Sequence, residues 1–317
     1  MIDVFTLGEA MIRLSTPPGE TLEKAKSFDV HVGGAEANVA ASLARLGRRV
    51  SWVSALPADP LGRRVLEELQ AAGVDCSHVR IDTNGRIGTY FVDLRNDPLA
   101  ASVIYDRRGS AASLLRVDDI PWSLVDEARI VHVSGITPAL SPSCREVAAE
   151  TAARAADGPS MLTFDINYRS KLWPPSQAAD ALSDLARLAD VVVCTLEDAH
   201  QLFGASGDAV KAVNDLADRF DTARVVVTSG AEGAWWVEDG SAGHVPALPV
   251  EVVDRIGAGD AFMAGVLDGL IDGSLDAGVR RGTALAALAL STHGDHPMAS
   301  RDELDSLLEG PGRRVDR

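Results

Sequence analysis

The stretch VDRIGAGDAF, residues 253–262, combines a glycine-rich turn with the predicted start of a helix. Gly257, Ala258 and Gly259 leave backbone N–H groups uncovered, and apolar residues at 262, 266, 267 and 271 predict one apolar face on the helix that follows. The N-terminus of a helix attracts negative charge. Asp260 stands where a carboxylate could accept the proton of an attacking hydroxyl. The stretch therefore suits phosphoryl transfer to an alcohol, and an ordinary helix start with two turn glycines is the alternative.

Apolar strands alternate with helical patterns along most of the chain that precedes this turn. Strands are predicted at residues 2–7, 50–55, 130–133, 161–165, 191–194 and 225–228, and helices at residues 35–46, 61–72, 143–156 and 178–188. This alternation predicts an α/β fold with a doubly wound, mostly parallel sheet and helices on both of its faces.

A second, smaller β-sheet interrupts that rhythm. Residues 88–95 and 101–107 alternate like two strands joined by a turn at 96–98, and residues 11–14 and 28–32 would complete the sheet. Ligands of parallel α/β folds bind at the carboxyl ends of the strands, so a sheet at that edge is placed to act as a lid. We expect one domain over residues 1–308, with lid strands drawn from about 11–32 and 88–107, and a flexible tail over 309–317.

Composition excludes several classes of partner. The formal net charge of -16 over 317 residues argues against nucleic acid or an anionic membrane, which both require a basic surface. Cys76, Cys144 and Cys194 are odd in number and widely spaced, so neither a disulfide framework nor a zinc site is expected. The apolar N-terminal stretch, residues 1–14, carries Asp3 and Glu9 and does not resemble a signal peptide, and apolar runs stay short of a membrane span. We expect a cytoplasmic protein.

Two strand ends carry polar groups suited to a ligand. In VGGAEANVA, residues 32–40, Gly34 lets a ligand approach the backbone and Asn38 offers a donor and acceptors, although a plain strand-to-helix turn has the same pattern. In DINYR, residues 165–169, Asn167 could hold water around a magnesium ion or a phosphate oxygen. The alternative is a turn in which Asp165 and Asn167 bond their own backbone.

Tyrosine and arginine side chains gather around the predicted cleft. Tyr90, Tyr105 and Tyr168 all fall in segments that surround it, and Arg107 and Arg169 lie beside two of them. Tyrosine hydroxyls suit sugar hydroxyls, and arginine forks suit a carboxylate or a phosphate. Cross-strand packing is the alternative for Tyr90 and Tyr105, and a solvated surface charge is the alternative for Arg107.

Nucleotide-binding signals are mixed. Thr228, Ser229, Gly230 and Gly233 follow a strand and could wrap a nucleotide, but a hairpin into the next apolar run explains them as well. The sequence contains no G-x-x-x-x-G-K-[ST] motif, and Phe262 breaks the G-x-G-x-x-G pattern. Neither a P-loop nucleotidase nor a standard dinucleotide dehydrogenase is supported.

These motifs resemble those of the ribokinase-like family of sugar kinases, also called the PfkB family, from the first strand through Asp295. The paired glycines at 33–34 and the DxxGAGD segment from Asp254 to Asp260 occur in the family's order. The resemblance implies a doubly wound α/β domain whose small β lid often clasps a partner in a homodimer or higher homo-oligomer. It implies transfer of the γ-phosphoryl group of ATP, with Mg²⁺, to a sugar hydroxyl, and leaves open a K⁺ ion near Asp254. Asp260 would be the base, and the backbone of residues 257–259 the anion hole.

Within the family, five stretches are most similar to members that phosphorylate the sugar acid 2-keto-3-deoxygluconate: GGAEANVA (33–40), YDRRGSAAS (105–113), SGITPALS (134–141), DINYR (165–169) and GDH (294–296). The resemblance implies contacts with the sugar acid at Gly34, Tyr90, Tyr105, Arg107, Arg169, Asp260 and Asp295, which Asn38 would join. It places ATP near Thr195, Thr228, Ser229, Gly230, Gly233 and Thr283, with Asn167 on the phosphate side.

The sequence departs from the family pattern at the magnesium motif and at two positions near the sugar. The N-x-x-E magnesium motif appears here as Thr195 to Asp198, which leaves Asp198 as an outer-shell ligand through water. Neutral-sugar members have an aspartate at the position of Arg13 and a proline at that of Glu36, and the loss of an acid favours an acidic substrate. We expect phosphorylation of the terminal hydroxyl of 2-keto-3-deoxygluconate. The alternatives are a kinase for another sugar acid or a neutral sugar such as fructose or ribose, and a sugar or nucleotide sensor without turnover.

Overall fold

The computed structural model describes residues 2–93 and 102–310. Its strands are β1 (Ile2–Leu7), β2 (Met11–Ser15), β3 (Asp29–Gly33), β4 (Val50–Val53), β5 (Ala55–Pro57), β6 (Arg80–Asp82), β7 (Gly88–Asp93), β8 (Ser102–Asp106), β9 (Ala128–Ser134), β10 (Met161–Asp165), β11 (Val191–Thr195), β12 (Arg224–Thr228), β13 (Ala234–Glu238) and β14 (Ser241–Val245). Its helices are α1 (Ala35–Arg45), α2 (Pro60–Ala72), α3 (Trp122–Glu127), α4 (Thr137–Leu140), α5 (Pro142–Asp157), α6 (Pro175–Ala186), α7 (Leu196–Phe203), α8 (Ala209–Phe220), α9 (Ala258–Ile271), α10 (Leu275–Leu290) and α11 (Arg301–Leu308).

The large sheet has eight strands in the order β14-β13-β12-β11-β10-β9-β1-β4. Every neighbouring pair from β4 to β12 is parallel, and only the β12–β13 and β13–β14 pairs at one edge are antiparallel. The predicted α/β fold with a mostly parallel sheet is confirmed.

Alternate side chains of the central strands face two separate cores. In β11, Val191 and Val193 pack in the core that contains α1, α2, α9 and α10, whereas Val192 and Cys194 pack in the core that contains α5 to α8. A strand covered on both faces must be apolar at successive positions. Helices therefore lie on both sides of the sheet, as a doubly wound fold requires.

Two local predictions need correction. Residues 50–55 do not form one strand: β4 ends at Val53, and β5 leaves the large sheet to pair with β6, with Ala55 opposite Arg80. Helix α6 begins at Pro175, three residues before the predicted start at 178, because a proline is well suited to the first turn of a helix.

Helix α9 is buried on every side from residue 261 to residue 271, so the prediction of a single apolar face is wrong. It lies between α1 and α10, and glycines bring α9 and α10 together. A Cβ atom on Gly265 would overlap the backbone of Gly282, and one on Gly269 would overlap the backbone of Gly278. The close backbone contact removes the polar face that a surface helix would show.

The small sheet has the order β3-β2-β7-β8, in which β2 and β7 are parallel and the outer pairs are antiparallel. It is separate from the large sheet, as predicted. The predicted turn at 96–98 lies outside the described residues, as do residues 311–317 of the predicted tail.

A buried carboxylate joins the C-terminal helix to the rest of the domain. Asp268 of α9 is fully buried and accepts hydrogen bonds from Arg48, Arg281 and Arg301 at 2.7, 2.7 and 2.5 Å. Burial alone would raise the pKa of Asp268, but the hydrogen bonds and charges of Arg301 and Arg48 outweigh it and lower the pKa. The cluster therefore stabilises the fold at neutral pH.

We predict that Asp268→Asn lowers the free energy of unfolding by about 3 kcal/mol, since it leaves a group of arginines without their shared counter-charge. Urea denaturation at pH 7 measures this. The matched control is Asp276→Asn, which removes an exposed ion pair with Arg280 one turn away on α10 and should cost less than about 0.5 kcal/mol. The lowered pKa means that the difference between wild type and Asp268→Asn shrinks as the pH falls. Equal stability of the two variants at pH 7 would contradict the assignment.

Candidate active site

A cleft with a volume of about 360 Å³ opens between the carboxyl ends of the parallel strands and the small sheet. The chain runs from β1 to β4 on one side and returns to β9 on the other, so the winding reverses between β1 and β9. Such a reversal is where doubly wound folds bind ligands. Many of the predicted site residues line the cleft together: Gly34, Asn38, Tyr90, Tyr105, Arg107, Asn167, Arg169, Thr195, Asp198, Thr228, Gly257, Gly259, Asp260 and Asp295.

The glycine-rich turn presents the N-terminus of α9 to this cleft. Gly257 precedes the helix with φ 84°, a left-handed conformation that favours glycine, and a Cβ there would overlap the backbone carbonyl of Asp295. Apart from its chain neighbours and the nearby backbone of α9, no described atom lies within 4 Å of the place where a Cβ on Gly259 would stand. The backbone of Gly259 is therefore open to an anion at the positive end of the helix.

Asp260, in the first turn of α9, carries a perturbed carboxyl group. Asn38 Nδ2 donates to Asp260 Oδ2 at 2.6 Å, and Asn38 Oδ1 accepts from the backbone N–H of Gly34 at 3.3 Å. Burial raises the pKa of Asp260 to about 7, although the hydrogen bond from Asn38 and the charge of Arg169 act in the opposite direction. Such a group can both hold and release a proton near neutral pH.

Asp165, at the end of β10, faces the same cleft. Burial, with the negative charge of Asp260 next, raises the pKa of Asp165 to about 7. The turn alternative for Asn167 is present, because its backbone N–H and Nδ2 each donate to Asp165 at 3.1 Å, and Asn167 also lines the cleft. Asn167 has φ 38°, which an asparagine tolerates at such a turn.

Arg107 and Arg169 differ in their burial and in the partners that their guanidinium groups already have. Arg107 is only 9% exposed, so the alternative of a solvated surface charge is wrong. Its Nε donates to the buried Glu9 Oε2 at 2.7 Å, and its terminal nitrogen makes an ion pair with the same carboxylate. Arg169 is exposed in the cleft and donates to the backbone carbonyl of Tyr168 at 3.2 Å. Arg169 is the arginine whose fork is more available to an anionic ligand.

The tyrosines divide between the cleft and the core. Tyr90 and Tyr105 pair across β7 and β8 with ring centroids 5.7 Å apart, and both line the cleft. The Tyr90 hydroxyl donates a hydrogen bond to Asp295, and both residues were predicted to contact the ligand. The segment of Tyr168 borders the cleft as predicted, but Tyr168 itself packs in the core, where its hydroxyl donates to the carbonyl of Trp173 at 3.1 Å.

Arg13 lies beneath the cleft and is fully buried. It donates to Asp254 Oδ2 at 2.5 Å and to Asp295 Oδ1 at 2.8 Å. The other oxygen of Asp254 accepts from the backbone N–H of Ile256 at 3.1 Å. Asp254, beside which the family resemblance leaves open a K⁺ ion, is thus already paired with a fixed cation.

Glu36, at the start of α1, occupies the switch point itself. It is fully buried, and its Oε1 accepts from the hydroxyls of Ser134 and Thr137 at 2.8 Å each. A Cβ on Gly8 would overlap the Glu36 carboxylate, so the glycine after β1 makes room for it. Glu36 therefore connects the ends of β1 and β9 below the cleft.

The predicted nucleotide residues are spread more widely. Thr195 Oγ1 accepts from the N–H of Asp198 at 3.0 Å and so caps α7, and Asp198 accepts from the N–H of Tyr168 at 3.4 Å. The backbone N–H of Ser229 donates to the carbonyl of Gly233 at 2.9 Å in the β12–β13 hairpin, which is the structural alternative. Of the predicted residues, five lie outside the cleft lining: Ala258, Ser229, Gly230, Gly233 and Thr283, whose hydroxyl donates to the carbonyl of Val279.

Several cleft residues escaped prediction as ligand contacts: Met11, Val103, Ile136, Asp165, Arg255, Ile256 and Phe262. The sequence placed the polar groups of residues 165–169 at the ligand-binding edge, but it assigned no ligand to Asp165. The others are mainly apolar residues of lid strands and loops, whose patterns indicate packing alone. Over residues 2–93 and 102–310, no group of three or more His, Cys, Asp or Glu side chains is arranged to hold a metal ion.

Comparison with known proteins identifies the family. The pfkB family of carbohydrate kinases matches residues 1–301 of this chain. The chain belongs to the pfkB family. The 2-dehydro-3-deoxygalactonokinase of Haloferax volcanii is 40% identical, with 99% of each chain covered. The solved structure of 2-dehydro-3-deoxygluconokinase from Thermotoga maritima has a TM-score of 0.92 at 30% identity, with 98% of each chain covered. An uncharacterized sugar kinase from Pyrococcus horikoshii, solved in complex with ATP, has a TM-score of 0.81 at 28% identity, covering 97% of this chain and 98% of that one.

Membership of the pfkB family makes this chain a carbohydrate kinase, so the phosphoryl transfer indicated by the GAGD turn is confirmed at the level of the reaction class. The comparisons show the doubly wound fold with its small sheet as well. In the described part of this pfkB kinase, the helices are all too short or too polar to cross a membrane.

The raised pKa of Asp165 predicts a stability cost at high pH. A carboxyl whose folded pKa of about 7 exceeds its unfolded value destabilises the fold once it ionises, and this cost grows as the pH rises from about 4 to 7. A rise of about three pKa units corresponds to about 4 kcal/mol, and we halve this because the cleft is open to solvent. Asp165→Asn should therefore raise the free energy of unfolding at pH 8.5 by about 2 kcal/mol. Urea denaturation at pH 8.5 and pH 5.5 should show the gain shrinking at the lower pH. Asp180→Asn, at an exposed site on α6, is the control, and a gain equal at both pH values would contradict this reading.

Proposed function

We propose that this kinase phosphorylates the terminal hydroxyl of 2-dehydro-3-deoxygluconate, with ATP as phosphoryl donor. The observation that carries the proposal is the placement, in one cleft, of the perturbed Asp260 carboxyl and the exposed Arg169 fork. The first suits a reacting hydroxyl and the second suits the carboxylate of a sugar acid. Relatives named for 2-dehydro-3-deoxy sugar acids support the same substrate class.

The acid end of the substrate is assigned to Arg169, with Arg107 beside it. Glu9 already satisfies one edge of the Arg107 guanidinium, which leaves its remaining N–H groups for a ligand. Tyr90 and Tyr105 would contact the middle of the sugar acid, and Gly34, Asn38 and Asp295 would complete its surroundings. A carboxylate held by an arginine is favoured over a neutral group by charge as well as by geometry.

Asp260 acts as the base in this proposal. It accepts the proton of the terminal hydroxyl while that oxygen forms a bond to the γ-phosphorus and the bond between this phosphorus and the β,γ-bridging oxygen breaks, which releases ADP. The N–H groups of residues 257–259 face the charge that develops on the transferred phosphoryl group. Closure of the small sheet over the cleft would exclude water that could otherwise hydrolyse ATP.

The nucleotide and Mg²⁺ fit the opposite side of the cleft. Thr195 and Thr228 line it, the hairpin residues 229–233 follow Thr228 outside the lining, and Asp165 and Asp198 supply carboxylates that could hold water around the metal. Magnesium commonly keeps several waters and needs only one or two carboxylates beside the phosphates, so this set fits. When bound, Mg²⁺ would offset the negative charge of the phosphates.

The galactonate epimer is a specific competing substrate, because the relative from Haloferax volcanii at 40% identity is named for it. The placement of one hydroxyl separates the two acids. We also propose a cytoplasmic protein that forms a homodimer or higher homo-oligomer through the small sheet, where Ile104 of the edge strand β8 is 55% exposed.

We predict that the purified protein with Mg²⁺ consumes ATP in the presence of 2-dehydro-3-deoxygluconate or its epimer at a kcat/KM at least about 100-fold above that for fructose or ribose. Arg169→Ala should lose about 1.5 to 3 kcal/mol of that preference, as one charged hydrogen-bonded contact, and leave any turnover of fructose unchanged. The control is Arg187→Ala, an exposed arginine at the end of α6. Preference for a neutral sugar would contradict the contact between Arg169 and a substrate carboxylate. Binding of a sugar or a nucleotide without turnover would indicate a sensor.

The assignment of Asp260 as base predicts that Asp260→Asn lowers kcat at least about 100-fold. In the wild type, kcat/KM should fall as the pH drops through about 7, because the protonated acid cannot accept a proton. Asn38→Ala removes a hydrogen bond to the ionised form and should move this acidic limb up by about one pH unit. Ser42→Ala, one turn further along α1, should leave the limb in place. Near-normal kcat in Asp260→Asn would refute the assignment.

A further inference from the structure

A guanidinium is buried beneath the glycine-rich turn to which the proposed function assigns the phosphates, and no step of the proposed reaction uses it. Arg13 of β2 has no exposed surface, and it donates to Asp254, Asp295 and the hydroxyl of Ser15 at 2.5, 2.8 and 2.7 Å. Burial by itself would lower the pKa of Arg13, but the charges of Asp295 and Asp254 raise it, so the group stays charged. A buried charge with three polar partners is a built feature of the fold.

The two carboxylates flank the glycine-rich turn. Asp254 Oδ1 accepts from the N–H of Ile256 at 3.1 Å, directly before Gly257. Asp295 contacts Gly257 from the other side, because its backbone carbonyl occupies the space that a Cβ on Gly257 would need. Arg13 thus links Asp254 and Asp295, the two residues on either side of the glycine-rich turn at the cleft.

Charge explains why a cation is needed here. Without Arg13, Asp254 and Asp295 would place two buried negative charges close to the site assigned to phosphate, where they would oppose the binding of ATP and the charge of the transition state. A bound monovalent ion could offset them. Next to the fixed guanidinium, however, a second cation would be repelled in surroundings that screen charge poorly.

We infer that Arg13 is a positioning residue that stands in for a monovalent cation, so that turnover by this kinase needs no K⁺. The inference rests on the proposed function, since it requires phosphoryl transfer at this turn. It also assigns Asp254, which does not line the cleft, to holding the turn through Arg13 and the N–H of Ile256.

The first experiment uses the wild type and whichever sugar it phosphorylates. Initial rates are measured with Mg²⁺ in the chlorides of potassium, sodium and tetramethylammonium at constant ionic strength. We expect the three values of kcat to agree within about twofold, because the fixed charge is already in place. Activation by K⁺ of tenfold or more over tetramethylammonium would overturn the inference. Absence of turnover with any sugar acid would instead overturn the proposed function, so the two failures are distinguishable.

The second experiment restores the charge from solution. Arg13→Ala should lower kcat by at least about tenfold through loss of the ordered turn, and guanidinium chloride at millimolar, non-denaturing concentration should recover part of that loss in a saturable manner. Urea has a similar planar shape without charge and should recover nothing. The matched control is Arg86→Ala, which removes an exposed ion pair with Asp106 at the small sheet, and its kcat should be normal and insensitive to guanidinium.

Folding is controlled separately. Arg13→Lys keeps a positive charge, so it should retain more kcat than Arg13→Ala even where thermal denaturation shows the two variants to be equally stable. A merely structural role for Arg13 would leave urea and guanidinium equivalent and would make kcat follow stability across the variants. If Arg13→Ala does not fold, the salt series is measured on the wild type and on Arg13→Lys. Activation of either protein by K⁺ contradicts the inference.

Discussion

The contact between Gly257 and the carbonyl of Asp295 is the constraint on which the site depends. It brings the segment after α10 against the turn before α9, and only a residue without a Cβ, in a left-handed conformation, permits that distance. Arg13 then bonds Asp254 and Asp295, so a strand of the small sheet is tied to both segments. The position of Asp260, one residue beyond the exposed backbone of Gly259, follows from this arrangement.

Negative charge is concentrated at the cleft at a cost in stability. Asp165 and Asp260 both have pKa values raised to about 7, chiefly because burial disfavours their ionised forms. Perturbed groups of this kind are common where an enzyme must move a proton and bind charged substrates. The domain compensates elsewhere, for example at Asp268, whose arginine partners lower its pKa.

Prediction from the sequence succeeded where a pattern is local. Strands β11 and β12 carry three successive valines each, at 191–193 and 225–227, because both faces of the sheet are covered, and that signal survives in a single sequence. The GAGD turn was recognisable because its glycines and its aspartate stand together in a short segment, and Gly257 has the left-handed conformation that favours glycine. Prediction failed where partners are distant. The all-round burial of α9 depends on Gly265 meeting Gly282, and the burial of Arg107 depends on Glu9, 98 residues away.

The sequence by itself determined the α/β alternation, the small separate sheet, the glycine-rich helix start and, through its motifs, the family of carbohydrate kinases. Hydrophobic periodicity and the conformational preferences of single residue types indicate these features, and both can be recognised within a few neighbouring positions. The tertiary structure alone decided which polar side chains share the cleft, that Tyr168 belongs to the core, and that Arg13 neutralises carboxylates from two segments beyond residue 250. Burial and charge pairing depend on contacts between elements far apart in the chain, and no local pattern records them.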